Sequence, residues 1–208
     1  MPLMLRVSAD APDPAVIREA AELIRRGLIV AYPTDTLYGL AVDPRNAGAV
    51  KRLFELKGRP ETSALTLIAA DLAHVRAAGE MTTAAERLAE RWWPGPLTIV
   101  VRARAILARG MLAGGETVGI RIPDHAAAIA LARDIGFPIA ATSANRSGGA
   151  PASTAEAVVE ALPDVDAIVD AGPARGGPPS TIVDASATAV TLLRQGVVPW
   201  DKVLRSLQ

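Results

Sequence analysis

The sequence predicts an α/β fold: a mixed β-sheet flanked by helices. Three observations point to it. Short apolar runs alternate with segments of helical period from end to end, which favours interleaved layers over segregated halves. Several successive runs have no helix between them, so the sheet cannot be purely parallel. Half of the 208 residues are hydrophobic, enough for one sizeable core.

The elements follow in order. Asp13–Arg26 carries Val16, Ala20, Leu23 and Ile24 at helical spacing, and Gly27 supplies a stop. Leu28–Ala31 is a short apolar strand closed by Tyr32-Pro33. Ala47–Leu56 reads as a helix ending at Gly58, with Pro60 beyond. Leu65–Ala69 is a strand, and His74 beside Val75 sits in a helical stretch. Thr82–Trp92 is a helix with a threonine cap, and Trp93-Pro94-Gly95-Pro96 breaks the chain before the strand Leu97–Arg102. Thr117–Ile122 is a strand, Pro123-Asp124 leads into the helix Ala126–Asp134, and Ile139–Ala141 is a buried strand. Thr154–Leu162 is helical, capped by Ser153 or Thr154. The strands Ala167–Val169, Thr181–Asp184 and Val190–Arg194 and the helix Trp200–Leu207 complete the chain. No repeat and no long linker interrupts it, so residues 1–208 are expected to form one domain.

Composition excludes several classes of function. There is no cysteine, which removes disulfide scaffolds, thiol catalysis and cysteine-ligated zinc. His74 and His125 are the only histidines, too few for a histidine-rich metal centre; capping at a helix start explains His125 more simply than chemistry. Met1–Val7 lacks the layout of a signal peptide, and no run is long enough to span a bilayer; a cytoplasmic protein without membrane contact is expected. The 22 basic and 22 acidic residues cancel. Their distribution is uneven: Arg91, Arg102, Arg104 and Arg109 follow one another without an acid, which is compatible with a basic cleft.

Four loops at element ends carry the groups a ligand crevice needs. They are Tyr32–Leu40, rich in hydroxyls; Lys57-Gly58-Arg59-Pro60, with two cations around a glycine; Ala141–Gly148, polar at a strand exit; and Pro178-Pro179-Ser180-Thr181, a stiff turn. Singly, each is an ordinary turn or a complement to a helix dipole. Four in one chain shift the balance toward anion binding. Neither the Walker pattern, nor G-x-G-x-x-G, nor a G-x-S-x-G elbow is present. Trp92-Trp93 reads as an anchor for the sharp turn rather than a base-stacking platform.

In order, YPTDTLYGL, KGRP, RWWPGPLT, VGIRIPDH, TSANRSG, PSTIVD and LLRQG resemble the YrdC family of threonylcarbamoyl-AMP synthases, over about Ala11 to Gly196. The resemblance implies a twisted mixed sheet with a concave, basic cleft. It implies synthesis of L-threonylcarbamoyladenylate and pyrophosphate from L-threonine, bicarbonate or carbon dioxide, and ATP with Mg²⁺. The product would supply N6-threonylcarbamoyladenosine modification of tRNA, with tRNA or a threonylcarbamoyl transferase as a partner.

Carried over by motif, the resemblance gives L-threonine to Thr36, Arg121, Ser143 and Ser180. It gives the nucleotide to Lys57, Arg59, Ser63, Thr117, Asn145, Ser153 and Arg194, with Lys57 and Arg59 as the catalytic cation pair. Thr117, Arg121 and Arg194 rest on the resemblance alone. No resident protein-held metal is expected. Two positions depart from longer members: Ala64 and Ile68 stand where those carry proline and histidine, which places the chain in the short branch and removes a histidine from beside the threonine. Two other readings compete. An RNA-binding module would bind without threonine, and a carbamoyl-transfer domain of the hydrogenase-maturation kind would use carbamoyl phosphate.

Overall fold

The computed structural model describes residues 1–60, 63–104 and 106–207. Its first helix shows how local chemistry sets the boundaries. Asp13 Oδ1 accepts from the Ala15 N–H at 2.8 Å with Pro14 at the first helical position, opening α1 (Pro14–Arg25). At the other end Gly27 adopts φ +82°, Gly27 N–H donates to Ile24 O at 2.9 Å and Leu28 N–H to Leu23 O at 3.0 Å. That closure consumes Leu28, so the strand expected from Leu28 begins two residues later.

The strand β2 (Val30–Pro33) is then fully buried and turns back through Thr34–Leu37 into β3 (Tyr38–Val42), antiparallel with Pro33 opposite Tyr38. The sequence reading treats Tyr32–Leu40 as one loop. The turn formers do make the turn, but Tyr38 to Val42 pairs as a strand and all five residues are buried. A second unexpected strand, β1 (Leu3–Arg6), lies parallel to β9 (Ala167–Asp170).

The remaining strands are β4 (Thr66–Ile68), β5 (Gly79–Glu80), β6 (Leu97–Ala103), β7 (Thr117–Arg121), β8 (Ile139–Ser143), β10 (Thr181–Asp184) and β11 (Thr191–Arg194). Among the described residues they form one sheet in the order β1-β9-β2-β3-β8-β4-β7-β6-β10-β11, with β5 beside β6. Parallel pairs (β2 with β9, β4 with β7, β6 with β10) mix with antiparallel ones (β3 with β8, β4 with β8, β6 with β7). The sheet is mixed, as the helix-free connections predict.

The helices are α2 (Ala47–Lys57), α3 (Leu72–Ala78), α4 (Thr83–Trp92), α5 (Ala126–Ile135), α6 (Ala155–Ala161) and α7 (Trp200–Arg205), with a 3₁₀ turn at Arg109–Leu112. Thr82 and Thr154 cap α4 and α6 as expected. His125 occupies the cap position of α5, but its side chain makes no capping bond, which corrects that expectation. α1 packs on α5 and on β9, burying Ile17, Ala20, Ala21 and Ile24. Leu40, Leu53, Leu67, Leu97 and Ile99 are fully buried in the core. No described helix is long and apolar enough to cross a membrane.

Candidate active site

Residues paired in register across a sheet point to the same face. Tyr32 lies opposite Gly39, Gly39 opposite Ser143, Ala141 opposite Thr66, and Ile68 opposite Arg121. These side chains form the floor of a cavity of about 300 Å³, walled by Thr36, Arg59, Ser180 and Arg194. Strands and loops far apart in sequence meet there.

Arg121, at the end of β7, is buried and its guanidinium is fixed in three directions. Nε donates to Gly95 O at 2.8 Å, Nη1 to Thr36 Oγ1 at 3.4 Å, and Nη2 to the buried carboxylate of Asp35. Asp35 stands in the hydroxyl-rich turn, but the sequence reading gives it no role. Its pairing with a residue 86 positions away carries no local signal. The same turn is tied by Thr34 Oγ1, which donates to Leu37 O at 2.7 Å and lies 3.1 Å from Thr36 Oγ1. On the far wall, Ser180 Oγ lies 2.8 Å from Thr98 Oγ1, and Arg194 donates to Ser180 O at 2.8 Å.

The two cations of KGRP diverge because α2 ends between them. Gly58 takes the left-handed conformation, φ +60°, so the chain reverses and sends the neighbours apart. Arg59 lines the cavity, donating to Thr142 Oγ1 at 3.3 Å and Ala64 O at 3.2 Å. Lys57 points inward and is only 3% exposed. Its ammonium donates to Ser143 O at 2.5 Å, Asn145 O at 2.8 Å and Asn145 Oδ1 at 3.0 Å. All three N–H groups are thereby committed. Burial, and then the charge of Arg59, pushes its pKa down to about 8. The expectation that Lys57 holds phosphate meets a different geometry: the ammonium is a strut beneath the loop rather than a wall of the cavity.

That strut sets the loop. Asn145 Oδ1 also accepts from Ser143 Oγ at 2.6 Å, while its Nδ2 donates to Gly149 O at 2.6 Å. Thr36, Arg59, Arg121, Ser143, Ser180 and Arg194 thus share one cavity, and Lys57 and Asn145 brace it from behind. Ser63, Thr117 and Ser153 lie outside its lining; Ser153 O accepts from Ala174 N–H at 2.8 Å in the loop alongside. Ala64 and Ile68 are both wall residues. A larger hollow of about 600 Å³ at the start of α4 contains none of the motif residues, and its one guanidinium, Arg87, donates to Leu207 O.

Among the described residues no group of three or more His, Cys, Asp or Glu side chains could hold a metal. The cavity offers guanidinia and hydroxyls, and Asp35 is held by Arg121. This is a donor set for carboxylate and phosphate oxygens.

A family model described as telomere recombination, Sua5/yciO/yrdC, matches residues 22–196. The chain is 40% identical over 190 residues to the threonylcarbamoyl-AMP synthase of Bacillus subtilis, covering 90% of this chain and 55% of that protein. The crystal structure of Pyrococcus abyssi Sua5 complexed with L-threonine superposes with a TM-score of 0.93 at 36% identity, over 98% of this chain and 60% of that one. Escherichia coli YciO superposes with a TM-score of 0.86 at 26% identity, over 96% and 98% respectively. The chain therefore spans little more than half the length of the Bacillus relative.

Proposed function

Because the chain belongs to the Sua5/YciO/YrdC family, we propose that it makes L-threonylcarbamoyladenylate and pyrophosphate from L-threonine, bicarbonate and ATP. The observation that carries the reading is a single cavity in which three guanidinia and a set of hydroxyls face one another. Such a lining suits a small zwitterion placed against a polyphosphate.

The chemistry follows from those groups. Bicarbonate takes up a proton and loses water to give carbon dioxide; the neutral threonine amine adds to its carbon and releases a proton, giving an N-carboxylate. A carboxylate oxygen then attacks the α-phosphorus, the new P–O bond forms, and the bond to the β-phosphate oxygen breaks with loss of pyrophosphate. Alignment and neutralisation of charge supply most of the rate in such transfers. Arg121, oriented by Asp35 and Gly95 O, presents its free N–H groups to the threonine carboxylate. Thr36, Ser143 and Ser180 seat the amino acid. Arg59 and Arg194 offset charge on the nucleotide phosphates, with Ser63, Thr117 and Ser153 extending the nucleotide track beyond the cavity. Lys57 acts through the Ser143–Asn145 loop that it pins. Mg²⁺ enters with ATP as part of the substrate. A cytoplasmic location and delivery of the product to a tRNA-modifying transferase belong to the same reading.

Mass spectrometry of the nucleotides formed from ATP, L-threonine and bicarbonate tests it. Threonylcarbamoyl-AMP is expected, and only when all three are present. Product from carbamoyl phosphate instead, or RNA binding without any threonine-dependent turnover, would overturn the assignment. Arg59→Ala is expected to lower kcat/KM by roughly thirtyfold, about 2 kcal/mol of transition-state stabilisation.

A further inference from the structure

Tyr32 is fully enclosed, yet its hydroxyl has no hydrogen-bond partner among the described residues. The ring owes its position to Gly39. On the facing strand, a Cβ at that residue would sit 3.3 Å from Cε1, Cζ and Oη of Tyr32. With no side chain there, the ring lies across β3 on the face that Ser143 shares one strand further on. The side chain lines the cavity, while its oxygen is closed to bulk water. A buried hydroxyl left without a partner is costly, and cores rarely keep one without a reason.

The surroundings narrow down the missing partner. Burial holds the phenol well above its ordinary range, so it remains a donor, and the charges it feels are those of Arg121 and Asp35. Asp35 is already engaged by Arg121. Arg121 has also committed Nε to Gly95 O and an Nη1 proton to Thr36. A carboxylate arriving at that guanidinium has about four lone-pair positions, more than the remaining Arg121 protons can serve. A neutral donor beside the guanidinium completes its shell.

We propose that Tyr32 Oη donates a hydrogen bond to the carboxylate of the bound amino acid, alongside Arg121, as a substrate-binding residue to which the motif resemblance assigns no role. The inference rests on the function proposed above. It gives the buried hydroxyl a partner that no described residue provides, so the phenol favours binding.

The test is Tyr32→Phe, which removes one oxygen and keeps the ring over Gly39. Without ligand, the variant is expected to melt at or above the wild-type temperature. Its KM for L-threonine should rise roughly tenfold, the low end for a hydrogen bond to a charged group. The KM for ATP should stay within about twofold. Because the carboxylate is common to both amino acids, the inhibition constant of L-serine should rise by the same factor. An unchanged KM, a rise confined to one amino acid, or a lower melting temperature without ligand would each overturn the proposal. Failure of the wild-type protein to bind L-threonine in calorimetry would instead overturn the function on which it rests.

Discussion

At Arg121 one side chain answers three acceptors, and substitutions there separate charge from geometry. Arg121→Ala leaves Asp35 buried beside no cation, which is expected to cost about 3 kcal/mol or more in urea denaturation. Adding Asp35→Asn should recover part of that loss, and equal stability of the single and double variants would contradict the pairing. Lys57 makes a pH-dependent prediction. Its folded pKa, about 8, lies below the ordinary 10.5, so between these values the unfolded chain binds the proton more tightly. The stability difference between wild type and Lys57→Met should therefore shift in favour of wild type as pH rises from 8 to 10.5. Activity should run the other way, declining above about pH 8 as the strut loses charge; a flat pH–rate profile to pH 9.5 would contradict this. At this scale the sequence reading finds the residue types but not their directions. Lys57 and Arg59 look equivalent as KGRP, and only the end of α2 tells them apart.

Among the elements, α2 is the one whose termini bear most directly on the site. Asn46 Oδ1 accepts from the Ala49 N–H at 3.1 Å and opens the helix, and Gly58 closes it. Gly58→Ala has open space for its Cβ, so its cost is the left-handed backbone alone, about 1 kcal/mol. It should also reduce turnover, because a relaxed backbone redirects Arg59. Asp13→Ala, at a helix remote from the cavity, is expected to lose about 1 kcal/mol of stability with unchanged kinetics. Comparing the two in thermal melts and initial rates separates a structural cap from one that aims a functional group. Helix ends marked by Gly27, Gly58, Thr82 and Thr154 are legible in the sequence because capping chemistry is local. β3 is not, since Thr34-Asp35-Thr36 masks where the turn ends, and β1 is short and mostly exposed. His125 shows the opposite error: a residue in the cap position whose side chain does not cap.

For the molecule as a whole, the cavity is a meeting point of Thr36 in the first hairpin and Arg194 on the last strand. Ligand binding therefore clamps distant parts of the chain, and L-threonine at about a hundred times its dissociation constant should raise global stability by about 2.7 kcal/mol. Denaturant titration with and without L-threonine measures it, and no shift would contradict the assignment of the cavity. The alternation of elements foretells a mixed sheet, but not the order β1-β9-β2-β3-β8-β4-β7-β6-β10-β11, which depends on long-range pairing with no local mark. Arg121 and Arg194 escape a residue-by-residue reading for the same reason: each is an ordinary strand residue until its neighbours are known. The turn before β6 has one more consequence. Gly95 O receives Arg121 Nε, and two residues earlier the Trp93 indole donates to Leu97 O at 2.7 Å. A shift of the guanidinium on engaging a ligand is expected to perturb that indole, and a change in ultraviolet emission when L-threonine is added would report it without a dye or label.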